Sequence, residues 1–239
     1  MRTVERLYET FKPNHYKVSF DLSLPKHQFA GRVKITGKAS GGQVKLHAKQ
    51  LNLKNPLLNG QVAEVESADD DVVLLSAAGF EGGEATVEID FTGQISDAMH
   101  GIYPCYFDLN GQKQELIATQ FESHHAREAF PCVDEPEAKA SFDVQLTTKP
   151  GLQVLGNMPQ AGQSTLDDGN WKTTFETTPV MSSYLLAFVV GDLQSKSAKT
   201  KDGVTVTTWA TRAQSADSLD FGLDVAVRSI EFFNDYFGV

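Results

Sequence analysis

Gln120 and Glu122 stand one residue apart in Thr119-Gln-Phe-Glu122, a few residues past an Asn110-Gly111 turn. In an extended segment alternate side chains share a face, so this amide and this carboxylate point the same way, with Thr119 and Phe121 opposite. Together they offer a grip for a protonated amine: the carboxylate supplies charge and the amide oxygen accepts a hydrogen bond. The plainer reading is two solvated polar residues at the end of a strand, a common place for Gln and Glu.

The residues that follow carry further candidates. His124 and His125 suggest a metal, but adjacent side chains diverge on a helix or a strand. A zinc helix needs His-Glu-x-x-His, with both histidines on one face, and that pattern occurs nowhere in the chain. The other histidines (His15, His27, His47 and His100) are isolated in sequence, so no metal ligand is assigned. Asp134 and Glu135 lie between two prolines, Pro131 and Pro136. They are either a catalytic carboxylate pair or, more simply, acceptors for nearby backbone amides in a stiffened turn. Cys132 reads as a small buried residue rather than a nucleophile. The chain has no Gly-x-Ser-x-Gly elbow, no phosphate-binding glycine loop and no Cys-x-x-Cys. No catalytic residue is assigned.

Strands must position these groups. Period-two alternation runs from about residue 15 to about residue 210, as in Tyr16/Val18/Phe20/Leu22, Phe29/Val33/Ile35, Val87/Ile89/Phe91, Phe142/Val144/Leu146 and Trp171/Thr173/Phe175. Asn59-Gly60, Asn110-Gly111, Asp168-Gly169 and Asp202-Gly203 punctuate the runs with hairpin-turn chemistry. The reading is mainly β: an antiparallel sheet or sandwich. The apolar stretch from Tyr184 to Val190 predicts a buried strand, and Ser123–Glu128 a short helix stopping before Pro131. At the C-terminus the period changes. Leu219, Leu223, Ala226, Ile230, Phe233 and Phe237 form one face of a trailing α-helix, capped by Ser215 or Asp217 and ended by Gly238.

Composition bounds the function. With 239 residues and 41% hydrophobic content the chain supports a real core, and its net charge of −10 argues against nucleic acid as a partner. No apolar run approaches the roughly 18 residues that span a bilayer, so no membrane partner is expected. Two cysteines, no Asn-x-Ser/Thr site and no apolar segment after the charged start favour a cytoplasmic protein with reduced thiols.

The segment Thr119-Gln-Phe-Glu122, Ala126-Arg127, Ala129-Phe-Pro-Cys-Val-Asp-Glu-Pro136 and Lys139-Ala-Ser-Phe142 resembles a signature of the N-terminal domain of the M1 zinc aminopeptidases. Asn157-Met-Pro159, Met181–Gly191 and the final Phe232-Phe-Asn-Asp-Tyr-Phe-Gly238 extend the likeness. The resemblance implies a β-rich domain over residues 1–211, followed at 212–239 by the first helix of a thermolysin-like catalytic domain. It implies an intact enzyme that removes residues from peptide N-termini with zinc. The zinc motif and a Gly-Ala-Met-Glu-Asn loop are expected outside this chain, which should bind no zinc and be inactive alone. Its expected partners are peptide substrates and the remaining domains of the same protein. The likeness further implies that Glu122 helps bind the substrate α-ammonium and that Gln120 lines the first side-chain pocket. Two positions depart from the family pattern. Glu128 stands where a basic residue is common, and Pro104-Cys105 stands where many members have Arg-Ser. The alternative reading is a stand-alone, non-catalytic β-module for binding or scaffolding.

Overall fold

In the computed structural model, residues 5–23 and 27–238 are described. The strands run β1 (Phe11–Asp21), β2 (Gln28–Ala39), β3 (Val44–His47), β4 (Asn52–Leu58), β5 (Gln61–Val62), β6 (Glu64–Ser67), β7 (Val72–Ser76), β8 (Gly83–Gln94), β9 (Gly101–Leu109) and β10 (Gln112–Gln120). They continue with β11 (Ser141–Thr148), β12 (Gln153–Gly156), β13 (Gln160–Thr165), β14 (Trp171–Phe175), β15 (Phe188–Gly191), β16 (Leu193–Lys199) and β17 (Thr205–Thr211), and then helix α1 (Ser218–Phe237). Among the described residues no helix is long and apolar enough to cross a membrane. The residues cluster into two compact units: one built from residues up to 104 with 117–150 and 154–190, the other from 105–116, 151–153 and 191 onward.

The first unit is organised by an eight-stranded sheet, in the order β13-β14-β11-β1-β2-β8-β4-β5. Alternation decides its inner face. Tyr16, Val18 and Phe20 of β1 lie opposite Phe142, Val144 and Leu146 of β11, and Val33 and Ile35 of β2 lie opposite Ile89 and Val87 of β8. All of these residues are buried. The register is therefore fixed by burial, because a one-residue slip would turn every one of them to solvent. Two glycines let aromatic rings lie over the backbone. Gly31 faces Phe91 and Gly93 faces Phe29 across β2 and β8; a Cβ on Gly31 would fall 2.4 Å from Phe91 Cζ, and one on Gly93 2.3 Å from Phe29 Cζ. The rings thus freed meet Phe20, whose centroid lies 5.9 Å from that of Phe91 and 6.4 Å from that of Phe29. Phe20 also meets Phe130 at 6.0 Å and Phe188 at 5.3 Å. The aromatic core thus joins the sheet to the segment around residue 130.

Three features differ from the sequence reading. The sheet is antiparallel except that β1 and β11 run parallel. Their separation in the chain permits a crossover, whereas the hairpin turns elsewhere enforce antiparallel pairing. The stretch Tyr184–Val190 is not one strand: Ser183–Leu185 is a 3-10 turn and β15 begins at Phe188. Asn157 explains the break, since its amide donates to Leu185 O at 2.8 Å and accepts from Ala187 N at 2.8 Å, replacing a strand neighbour. Between Ser123 and Glu128 the helical turn is limited to the 3-10 turn Ala126–Glu128. Asn59-Gly60 and Asn110-Gly111 take paired positive φ angles, whereas at Asp168-Gly169 and Asp202-Gly203 only the glycine does.

In the second unit β16 and β17 form a hairpin against which α1 packs. Lys196 Nζ binds Asp220 at 2.7 Å, and Lys201 Nζ binds Asp235 at 2.8 Å. Gly238 ends the helix in the left-handed region, its N–H bonding Asn234 O at 2.9 Å. Leu219 is buried, but Phe232, Phe233, Tyr236 and Phe237 are each at least half exposed. The apolar face predicted from the period is therefore covered at its start and open at its end.

Gly31→Ala should destabilise the fold by about 1–3 kcal/mol through overpacking, whereas Gly41→Ala, with nothing within 4 Å of its new methyl, should stay within about 0.5 kcal/mol. Urea unfolding of the two variants measures the difference directly.

Candidate functional site

The end of β10 presents the two residues singled out by alternation. Ile117 and Ala118 pair with Val190 and Val189 of β15, and Thr119 Oγ1 accepts from Phe188 N at 3.0 Å. That anchoring fixes the faces: Gln120 and Glu122 are exposed while Phe121 between them is buried. Phe121 reaches the core through Phe130, with ring centroids 6.3 Å apart. Among the described residues neither Gln120 nor Glu122 has a hydrogen-bond or ion-pair partner. Both are free to meet a ligand.

Behind this pair the chain is bolted down. Asp134, with its side chain only 1% exposed, is the central bolt. Its Oδ2 accepts from Arg127 N and Nε, each at 3.2 Å, and its Oδ1 accepts from Ser183 Oγ at 2.9 Å. Arg127 Nη2 also donates to Asp134 O at 3.2 Å. The backbone N–H of Asp134 donates to His47 Nδ1 at 3.1 Å. His47 and Cys132 exchange backbone bonds of 2.7 and 3.0 Å, and Val133 N donates to Tyr16 OH at 3.1 Å. Glu135 accepts from Leu7 N at 2.6 Å and from Tyr8 N at 3.3 Å. Asp134 and Glu135 are thus spent on backbone and arginine, which settles the choice between a catalytic pair and structural acceptors in favour of the latter. Burial drives the Cys132 thiol well above its ordinary range, as expected of an inert core residue. Cys105 and Cys132 are both free thiols.

The histidines hold a correction. His100, isolated in sequence, is not isolated in space. Its ring stacks on His125 with centroids 4.0 Å apart. His100 Nδ1 lies 2.7 Å from Glu128 Oε2 and His125 Nδ1 3.1 Å from Glu128 Oε1. Lys49 Nζ lies 3.0 Å from the same Oε1. Burial alone would raise the Glu128 carboxyl, but the bonds from Lys49, His125 and His100 outweigh it and hold it below the ordinary carboxylate value. Only the sequence departure at Glu128 hinted at this cluster. The fold brings Lys49 and His100 to it from segments that share no local pattern with it. A separate cleft of about 700 Å³ is bordered by Arg6, Lys45, His47, Arg127 and Glu135; Gln120 and Glu122 take no part in it.

Residues 12–185 match the Peptidase M1 N-terminal domain family. The chain belongs to that family. It is 47% identical to an aminopeptidase N of Lactococcus lactis subsp. lactis, over 99% of its own length and 28% of the relative's. It is 35% identical to a puromycin-sensitive aminopeptidase of Caenorhabditis elegans, over 98% of its length and 26% of the relative's. Against endoplasmic reticulum aminopeptidase 1 of Rattus norvegicus the figures are 34%, 98% and 27%. This M1 N-terminal domain therefore spans little more than a quarter of the relatives it matches. Its residues do not fit the zinc site implied by the resemblance, since that site is built on His-Glu-x-x-His and no such pattern is present.

The bolt carries a pH dependence. Burial, reinforced by the nearby Arg127 guanidinium, pushes His47 down to about 3. In the unfolded chain His47 takes up a proton near the ordinary imidazole value of 6.5, while the folded chain refuses it. Stability contributed by neutral His47 is thus complete above that value and is lost as pH falls from there toward 3. The loss approaches about 1.4 kcal/mol per pH unit within the window. Urea midpoints from pH 7 to pH 4 should fall less steeply in His47→Asn than in the native chain, although the variant begins less stable.

Proposed function

We propose that this chain forms one wall of the substrate cleft of a zinc-dependent aminopeptidase, where Glu122 binds the peptide α-ammonium and Gln120 lines the pocket for the first side chain. The observation that carries this reading is the exposed, unpartnered amide and carboxylate on either side of buried Phe121, in a chain of the M1 N-terminal family. The backbone that carries them is already fixed by packing, so binding an ammonium orders only the two side chains, and the amide oxygen adds direction. Zinc, held by residues outside this chain, would supply the activated water. The residues of this chain bind and orient, and alone they turn over no peptide.

In this reading the β-rich N-terminal domain comprises residues 1–211, and residues 212–239 open a thermolysin-like catalytic domain. The exposed aromatic end of α1 then packs against the remaining domains of the same protein, which supply the length that the relatives have beyond this match. The setting is cytoplasmic, which the two free thiols support. A net charge of −10 makes nucleic acid a poor partner, and peptides with free N-termini are the substrate class.

The test is steady-state kinetics of the full-length aminopeptidase. Glu122→Ala should lower kcat/KM for peptides with free N-termini by about 10- to 150-fold, the equivalent of about 1.5–3 kcal/mol for a charge-assisted contact. Kinetics equal to those of the parent enzyme would remove Glu122 from the binding role.

A further inference from the structure

The cluster at Glu128 has the composition and shape of a cation site. A 3-10 turn eclipses residues three apart, so the turn Ala126–Glu128 sets His125 and Glu128 one above the other. Their i,i+3 contact is 3.1 Å, and the turn is closed by Glu128 N donating to His125 O at 3.2 Å. His100 arrives from a different segment. Gly101 follows it with a φ of +68°, and a Cβ there would fall 3.1 Å from Glu128 Oε2. A glycine at this position therefore keeps both the backbone path and the room for the carboxylate. One ligand atom from each of His100, His125 and Glu128 lies within 4.8 Å of the others.

We propose that His100, His125 and Glu128 form a divalent-cation site of the zinc class, with an open fourth position. Two imidazoles and one carboxylate make a donor set suited to zinc, which binds such ligands at about 2.0–2.2 Å. Tetrahedral donors at such bond lengths stand about 3.3 Å apart, so ligand atoms as much as 4.8 Å apart must close by up to about 1.5 Å. In the metal-free state the two Nδ1–H groups point at the two oxygens of a carboxylate that accepts but cannot donate. A cation takes the place of these protons. Lys49 stays on Oε1 and leaves Oε2 to the metal, an outer contact of the kind that orients ligating carboxylates. Access is open, because His100 is 37% exposed and His125 20%, whereas Glu128 is 11% exposed. The site joins the segment before β9 to the turn that begins four residues after Glu122.

The experiment titrates the 239-residue chain, stripped with chelator, with Zn²⁺ by calorimetry and with Co²⁺ by visible absorption. The expected result is one saturable equivalent, a four- or five-coordinate Co²⁺ spectrum and a melting temperature that rises with Zn²⁺. His125→Ala and Glu128→Gln should each weaken binding by more than about 100-fold, beyond the roughly 10- to 100-fold cost of losing an outer-shell contact. His15→Ala, which removes a 3.2 Å contact with Asp143 elsewhere on the sheet, should leave binding unchanged. Should His125→Ala or Glu128→Gln fail to fold, the more exposed His100→Ala replaces it. Absence of saturable binding in the native chain, a purely six-coordinate Co²⁺ spectrum, or equal weakening by His15→Ala overturns the proposal.

Discussion

A buried carboxylate must find hydrogen bonds and a counter-charge, and meeting that demand at Asp134 organises the domain. Left unpaired, such a charge costs several kcal/mol. Arg127 and Ser183 satisfy its two oxygens, and the backbone around it is taken up by His47, Cys132 and Tyr16. These partners come from β1, β3, the 3-10 turn at Ala126–Glu128 and the 3-10 turn at Ser183–Leu185. The Asp134 side chain ties two of these segments to a single loop, and the backbone N–H groups of Val133 and Asp134 tie the other two. His47 serves only as a neutral acceptor in this arrangement, so its burial and the nearby guanidinium reinforce the structure instead of opposing it.

The aromatic core completes what the polar bolt begins. Tyr16 stacks on Phe142 at 4.9 Å and meets Phe130 edge-on at 6.1 Å, while its hydroxyl accepts from Val133 N. A single tyrosine thus belongs to the sheet, the core and the loop. The consequence reaches the exposed face: Phe121 is held through Phe130, and Gln120 and Glu122 project from either side of it. The elements that fix the backbone of this pair lie entirely behind the residues that meet solvent.

Glu128 shows how the same turn serves two purposes. On its buried side the turn carries Ala126, Ala129 and Phe130 into the core. On its outer side it sets His125 over Glu128 and receives His100 and Lys49. The cationic and imidazole groups hold the carboxylate ionised despite its burial. An acidic residue at this position gathers three ligand atoms, one each from His100, His125 and Glu128, into close range.

The sequence by itself determined the elements and the faces. Alternation at Tyr16, Val18, Phe20, Phe142, Val144 and Leu146 marked buried strand faces because a pleated strand repeats every two residues. Asn-Gly pairs marked the turns because few residues tolerate positive φ. The 4-3 spacing from Leu219 to Phe237 marked the helix, and Thr119–Glu122 marked the exposed pair. These signals are local, and a local pattern is legible along the chain. Only the tertiary structure decided the rest: the parallel pairing of β1 with β11, the broken strand at Ser183–Leu185, the partners of Asp134 and the meeting of His100 with His125 and Glu128. Each depends on contacts between residues far apart in the chain, and side-chain spacing along one segment carries no information about which distant segment will arrive beside it.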